Sequence, residues 1–316
     1  MPSQTLPITL SNILSSDSAG TVFYYDKSFD KVSTKQRHTF RTTERFGQDF
    51  IVGTMEDPNI ESLAKAKTAN VYTTDAILSM IMCAPRSINP WDIVITKQDG
   101  ALYFDKRSGG PIDSVAVNEN AIEPPPEIPV DDPNNPGVKV VLNVPKMNTA
   151  PELREEAFYI VSNFAQQVLQ PSETEKVTFK HPVPFEELIE EEYVELASRG
   201  YQYRLFDLSL ADEEEPLNML VRTEIDAVQK SATGGPDLQL TIRALNEWGT
   251  GIQNQIDWRT KLDAQRGAVV ATEMKNNSCK LARWAVQSIL AGSDIMKLGY
   301  VLYPLRTLKH SLLIRS

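Results

Sequence analysis

Leu217–Ala244 reads LNMLVRTEIDAVQKSATGGPDLQLTIRA, and this stretch decides the fold class. Leu217–Val228 is predicted to be a long strand, because β-branched and apolar residues alternate with polar ones along it. Gly234-Gly235-Pro236-Asp237 supplies a turn, and Leu238–Ala244 returns as the partner strand. Upstream, Tyr201–Leu208 reads as an aromatic strand and Phe185–Ala197 as an acidic helix. Downstream, Gly267–Lys275 (GAVVATEMK) is predicted to be another strand and Asn276–Leu290 a helix capped by Asn276 or Asn277. In the first half, Thr21–Phe29 reads as a strand and Asn59–Lys67 as a helix with Leu63 and Ala64 inward. Thr74–Ala84 follows as a second helix, with Thr73 or Thr74 as N-cap and Asp75 in a first turn that favours negative charge. Asp92–Lys97 and Ala101–Asp105 form a hairpin around Gln98-Asp99-Gly100, whose Asp-Gly pair suits a tight turn. This order of elements predicts an α+β (mixed α/β) fold with mixed β-sheets flanked by helices.

Two segments fall outside that pattern. Residues 1–20 are Ser-rich and aperiodic and read as a flexible lead-in. Ser108–Ala150 carries eight prolines and little periodicity beyond a short strand at Val138–Val144. A segment so long without regular structure is usually functional or disordered. Pro151–Gln170 then resumes as a helix, with Glu152, Glu155 and Glu156 early and Leu153, Phe158, Phe164 and Val168 inward.

Across 316 residues, 32 basic and 42 acidic side chains give a net charge of −10, which argues against coating nucleic acid by bulk positive charge. The charge is uneven. His181–Glu215 holds eleven acids against two bases, whereas Ile242–His310 holds ten bases against five acids. A polyanion is therefore expected to be met locally, in the C-terminal third. The longest apolar run, around Ala76–Cys83, is far shorter than a membrane helix requires, so no membrane partner is expected. The N-terminus lacks the pattern of a secretory signal, and two cysteines, Cys83 and Cys279, exclude a disulfide scaffold. A cytoplasmic location follows as the expectation. No nucleophile triad, Walker loop or GxGxxG motif is present, and no cofactor is implied.

Candidate chemistry centres on two short motifs. Strand alternation puts Arg222, Glu224 and Asp226 on one face, and the same rule pairs Glu273 with Lys275. Neighbouring strands would converge three carboxylates and a lysine, the set a metal-dependent phosphodiesterase needs. Each motif alone reads more readily as a salt-bridged polar face, and only the two taken together read equally well either way. Lys280, Arg283 and Gln287 recur along one helix stripe, opposite Leu281, Ala285 and Ile289, and taken alone this stripe reads as an ordinary solvent face. The backbone N–H groups at Asn276–Ser278 suit a phosphate. Trp91, Trp248, Trp258 and Trp284 are candidates for base stacking, although tryptophans are most often core residues.

TDAIL (Thr74–Leu78), WDIV (Trp91–Val94), FDKR (Phe104–Arg107), LNEW (Leu245–Trp248), the long block Asp257–Trp284 and LAGSDIMKLGYV (Leu290–Val301) resemble the d-type component of eukaryotic translation initiation factor 3. The resemblance implies that family's cap-binding domain over residues 21–301, a cup-shaped relative of the DXO-type decapping exonucleases. Their shared motifs are the Glu-x-Asp and Glu-x-Lys pairs. It implies binding of a capped mRNA 5′ end without hydrolysis, within an assembly of other subunits of the factor and the small ribosomal subunit. The cap-binding positions it carries over are Asp75, Ile88, Asn89, Phe158, Val161 and Ser162. Lys275, Lys280 and Arg283 are placed for the triphosphate. Asn89 stands where the family has Tyr, Phe158 where it has Thr, Val161 where it has Asn, and Ser162 where it has His. The family's RNA gate corresponds to Pro111-Ile112-Asp113-Ser114-Val115-Ala116-Val117-Asn118-Glu119-Asn120-Ala121-Ile122-Glu123-Pro124-Pro125.

Ala165 occupies the position of a further glutamate in the nucleases, which leaves Glu224, Asp226 and Glu273 as vestigial metal candidates. The alternative is a metal-dependent 5′-end decapping or exonuclease activity using the Glu224/Asp226/Glu273/Lys275 face. The family's docking tail is not matched, and residues 302–316 diverge from it.

Overall fold

In the computed structural model, residues 13–31, 33–35, 37–40, 52–107, 110, 112, 117, 119, 130–132, 135–140, 160–172, 174–185, 197–209, 216–247, 256–302 and 311–314 are described. The first half runs β1 (Ile13–Tyr25), β2 (His38–Thr39), α1 (Pro58–Lys65), β3 (Val71–Thr74), α2 (Asp75–Cys83), β4 (Val94–Gln98), β5 (Ala101–Asp105), β6 (Val130–Asp132) and β7 (Asn135–Val140). A helix at residues 160–167, α3, follows. Then come β8 (Leu169–Gln170), β9 (Lys176–Thr178), β10 (Arg199–Asp207), β11 (Asn218–Ile225), β12 (Ala227–Gln229) and β13 (Leu238–Asn246). The chain continues through α4 (Trp258–Lys261), α5 (Arg266–Asn276), α6 (Ser278–Ala291), β14 (Ile295–Leu302) and β15 (Ser311–Ile314).

One mixed sheet takes the order β2-β15-β14-β13-β12-β1-β10-β11-β3-β5-β4, and β6 pairs with β7 as a separate hairpin. Its central antiparallel pair aligns Tyr201 with Glu224 and Tyr203 with Arg222. β11 also pairs in parallel with β3, and β13 in parallel with β14. Both faces of β10 and β11 are covered, so their inward and outward residues are alike buried. On one face, Ile60 of α1 meets Tyr72, Tyr103, Tyr201, Tyr203 and Leu220. On the other, Leu78 of α2 and Leu290 of α6 close over Val71, Phe206, Met219 and Val221. Around β13 and β14, Phe164 of α3, Val168 just past it, Trp258 of α4, Val269 of α5 and Trp284 of α6 bury Leu240, Ile242 and Tyr300. Each such aliphatic or aromatic side chain contributes about 1.5–3 kcal/mol. A Cβ added at Gly299 would lie 1.9 Å from the Phe164 ring, so glycine there is what lets α3 approach β14.

The hairpin is as expected: β4 and β5 pair antiparallel, with Asp99 at φ 52° and Gly100 at φ 87°. Several elements differ from the sequence reading. Residues 13–20, read as lead-in, are strand and pair with β10 from Ile13↔Phe206 to Gly20↔Gly200. Gly267–Lys275 is not a strand but lies within helix α5, because its buried residues Val269 and Glu273, with Asn277 just past the helix, are spaced by four. The predicted 217–228 strand breaks at Asp226. There the backbone N–H donates to Leu240 O at 3.0 Å and the carboxylate accepts from Ile242 N at 2.6 Å. On that side β13 therefore partners the short β12 rather than β11, while its other edge pairs with β14. Residues 151–159 of the long helix, most of the acidic helix (186–196), Trp248 and residues 141–144 lie outside the described residues.

α1 is anchored by charge as well as by Ile60. Asp57 caps it, accepting from Asn59 N and Ile60 N. The same fully buried carboxylate takes Arg222 Nη1 at 3.0 Å and Tyr203 Oη at 3.0 Å. Asp57→Ala removes a cap and leaves the buried Arg222 guanidinium uncompensated. The expected loss is about 3–5 kcal/mol, read as a lowered midpoint in urea unfolding, whereas an exposed change such as Lys97→Ala should leave the midpoint where it was.

Candidate functional site

Alternation does put Arg222 and Glu224 on one face of β11, opposite Val221, but the carboxylates do not stand open to a cation. Glu224 is ion-paired with Arg199, whose Nη1 also lies 3.8 Å from Asp226. Asp226, only 1% exposed, holds Arg243 Nη1 at 2.7 Å. Burial works to raise the Glu224 pKa, yet Arg199 and Arg222 together hold it below the usual carboxylate range. Glu273 and Lys275 do not share a face either, since two residues along a helix turn roughly 200°. Glu273 is buried, accepting from Trp258 Nε1 at 3.2 Å and Asn277 Nδ2 at 2.8 Å, while Lys275 is exposed. The expected convergence of three carboxylates and a lysine is thus replaced by acids matched to guanidinium and amide donors. Among the described residues no group of three or more acid, histidine or cysteine side chains could hold a metal ion.

A different cluster forms where α2 meets α6. Asp75 opens α2 and is buried. Burial first, then the Glu224 charge, pushes its pKa up to about 7, against Arg243 and Arg222. After α2 the chain turns through Ala84–Arg86 into a loop carrying exposed Ile88 and half-buried Asn89. Arg86 Nη1 donates to Ser278 Oγ at 3.3 Å and Cys279 Sγ to Cys83 O at 3.9 Å, so this loop is tied to the start of α6. The stripe of Lys280 and Arg283 is not a solvent face. Lys280 is buried, with Nζ 3.1 Å from Val117 O and over the Trp284 ring at 5.6 Å. Burial lowers its pKa to about 8, opposed by Glu273 and Glu119. Arg283 is pushed down by burial, opposed by the nearby Glu119 and Asp75.

Of the N–H groups at Asn276–Ser278 expected to meet phosphate, that of Asn277 donates to Glu273 O at 2.8 Å, and the next N–H groups along α6 are occupied as well. Cys279 N and Lys280 N each donate to the Glu119 carboxylate at 2.9 Å, and Glu119 N donates to Asn277 Oδ1 at 3.1 Å. Of the segment 111–125, Ile112, Val117 and Glu119 are described, and the first two are buried. Nothing in local sequence marks Glu119 as a cap for a helix 160 residues away, nor Asp57, Arg199 and Arg243 as partners of the β11 charges. Those pairings exist only through tertiary contact. Of the remaining expected site residues, Val161 and Ser162 lie half-buried on α3, Val161 packed against the cluster containing Trp284, and Phe158 lies outside the described residues. Ala165 is buried core. Trp258 and Trp284 are buried, and Trp91 is half-buried. No helix among the described residues is long and apolar enough to cross a membrane.

Comparison with known proteins adds the following. A family model described as eukaryotic translation initiation factor 3 subunit 7 matches residues 4–313. The D-type component of eukaryotic translation initiation factor 3 from Aspergillus fumigatus is 51% identical over 289 residues, covering 90% of this chain and 47% of that protein. Its counterpart in Neosartorya fischeri is 50% identical over 289 residues, with the same coverage of 90% and 47%. The Sclerotinia sclerotiorum counterpart is 48% identical, covering 90% and 48%. The chain thus spans about half the length of the curated relatives it matches. Among solved structures, Scheffersomyces stipitis Rai1 overlaps with a TM-score of 0.40 at 12% identity, covering 90% of this chain and 66% of that one. Candida albicans Rai1, in complex with pU5-Mn2+, gives 0.39 at 13% identity, covering 98% and 76%. Overlaps this low carry no inference about the site.

The Asp75 environment sets a pH dependence. Its pKa is raised from about 3.9 in an unfolded chain to about 7 in the fold, so the folded chain binds more protons through that window. The residue's contribution to stability is complete below about pH 4 and declines as pH rises towards 7. Asp75→Asn should remove this decline. Relative to the variant, the wild-type urea midpoint should fall between pH 5 and pH 8, and parallel profiles would contradict the assignment.

Proposed function

This chain belongs to the eukaryotic translation initiation factor 3 subunit 7 family, and from that membership we propose that it is an mRNA 5′-cap-binding module acting in translation initiation. The observation that carries the reading is the cluster at the α2–α6 junction. Asp75, the Ile88-Asn89 loop tied to α6 through Arg86, Lys280 and Arg283 come together in a chain whose net charge is −10. Such a place offers local positive charge for phosphates while the rest of the molecule repels them. A buried carboxyl such as Asp75 suits the donor edge of a guanine, and the neighbouring loop supplies apolar contact through Ile88. Phe158, Val161 and Ser162 complete the proposed set of contacts by family resemblance, and Lys275 is a further local base proposed for the triphosphate. The other subunits of the factor and the small ribosomal subunit are the proposed partners of the whole protein, in the cytoplasm.

The reading is non-hydrolytic. In-line attack on a cap phosphate with a divalent ion needs carboxylates with open coordination positions. Glu224 and Asp226 instead commit their oxygens to Arg199 and Arg243, and Glu273 to Trp258 and Asn277.

Titrating the chain with 7-methylguanosine triphosphate and with GTP tests both parts. The methylated nucleotide should bind at least about tenfold more tightly, and the affinity for capped RNA should fall as salt rises. Equal binding of the two nucleotides would overturn the cap reading. Incubating capped RNA with Mn²⁺ should release no cap, and release abolished by Glu273→Ala would establish the nuclease alternative instead.

A further inference from the structure

The chain's two cysteines meet at one place in the fold. Cys83 is the last residue of α2 and Cys279 the second of α6. Both are free thiols, buried at 4% and 3% exposure. Although they lie 196 positions apart, Cys279 Sγ donates to Cys83 O at 3.9 Å. Covalent geometry then puts the Cys83 Cα no more than about 6.3 Å from the Cys279 sulfur. Bridging the two sulfurs therefore calls for a local shift at the helix ends, not for a rearrangement of the sheet.

The surroundings keep the pair reduced while it is covered. Burial raises the pKa of both thiols, opposed at Cys83 by the Arg283 and Arg86 guanidinium groups. At Cys279 the Glu119 charge adds to the rise, and Arg283 and the adjoining Ser87 hydroxyl oppose it. A thiol held un-ionised is a poor nucleophile, and exposure is what makes it reactive. The cover is thin on one side. The chain leaves Cys83 through Pro85, Arg86 and Ile88, all exposed. This stretch is fastened by Ser87 N to Ala84 O at 3.0 Å, by Ser87 Oγ to Asn89 O at 2.7 Å and by the exposed bond from Arg86 to Ser278 at 3.3 Å. The loop that shields the thiols is thus the one that carries Ile88 and Asn89.

We propose that Cys83 and Cys279 form a dithiol–disulfide couple, whose oxidation staples the end of α2 to the start of α6 and weakens binding at the neighbouring Ile88-Asn89 loop. The binding half rests on the 5′-end reading above, and the covalent half does not. A small-molecule disulfide such as glutathione disulfide is the oxidant. One protein thiolate attacks it, forming a mixed disulfide and expelling one glutathione thiolate. The second protein thiolate attacks the sulfur of the first, forming the Cys83–Cys279 bond and expelling the other glutathione. The cysteines lose two protons and two electrons, and the oxidant is reduced to two thiols. The new bond removes the S–H that Cys83 O accepts and the thiol beside Ser87, so the turn leading to Ile88 and Asn89 shifts.

The full chain is incubated with excess glutathione disulfide at about pH 8, where thiolate forms, and the product is alkylated, weighed and peptide-mapped. The folded chain should yield the internal Cys83–Cys279 bond with no glutathione retained. The same treatment in urea should yield mixed disulfides, because an unfolded chain seldom closes a loop that long. The oxidised chain should unfold at a higher urea midpoint than the reduced one, since the cross-link restrains the unfolded state. It should bind 7-methylguanosine triphosphate about tenfold more weakly, and dithiothreitol should reverse both changes. Cys279→Ala should form no internal bond and show neither change. Two free thiols, or glutathione on both cysteines, in the folded wild-type chain would make them inert core residues and overturn the proposal without any variant. An internal bond that leaves the affinity unchanged would overturn it as a switch. If the reduced chain shows no preference for the methylated nucleotide, the 5′-end reading fails, while the couple is still decided by the mass and the urea midpoint.

Discussion

A buried carboxylate at the point where a strand changes partners organises this molecule. Asp226 stands between β11 and β12, with 1% of its side chain exposed. A charge so placed is tolerated only when its oxygens are bonded and its charge is matched. Ile242 N and Arg243 supply those bonds, and Arg199 extends the match to Glu224. The consequence is geometric. β11 is held against β10 and β3, β12 against β13, and the two halves of the sheet meet at this residue. Glu224 in turn disfavours ionisation of Asp75, so the network reaches the first turn of α2 and the proposed cap-binding cluster.

The same matching of charge separates two functions that share a set of residues. Acidic side chains serve metal chemistry only if water and cation can reach them. Here Glu224, Asp226 and Glu273 each have protein partners, while among the described residues no carboxylate is paired with Arg283. The imbalance lies on the helix that faces α2, not on the strand face that carries the Glu-x-Asp pair. Binding of an anion next to Lys280 and Arg283 is the chemistry that this distribution of charge supports.

Lys280 shows how packing rather than composition sets the character of such a group. It lies on a stripe that reads as solvent-facing, yet it is buried over the Trp284 ring and bonded to Val117 O. Burial lowers its pKa to about 8, while Glu119 and Glu273 nearby favour its charged form. Its charge is therefore retained at neutral pH by two carboxylates, one from α5 and one from a segment far away in sequence.

Local pattern was enough for the elements whose signal is local. The Asp99-Gly100 hairpin, the strand character of 201–207 and 218–225, the helices at 58–65 and 75–83, and the mixed sheet with flanking helices follow from periodicity and turn chemistry alone, and the family follows from the Asp257–Trp284 block. What only the tertiary structure decided were the pairings made across the chain. GAVVATEMK alternates well enough to read as a strand, but Val269, Glu273 and Asn277 are buried together, and that face selects a helix. Arg222 finds Asp57 over a sequence separation of 165, and Glu119 finds the α6 terminus over 160. Sequence spacing specifies which way a side chain points from its own element. The partner it meets is fixed by desolvation, which makes an unmatched charge costly wherever the folded chain encloses it.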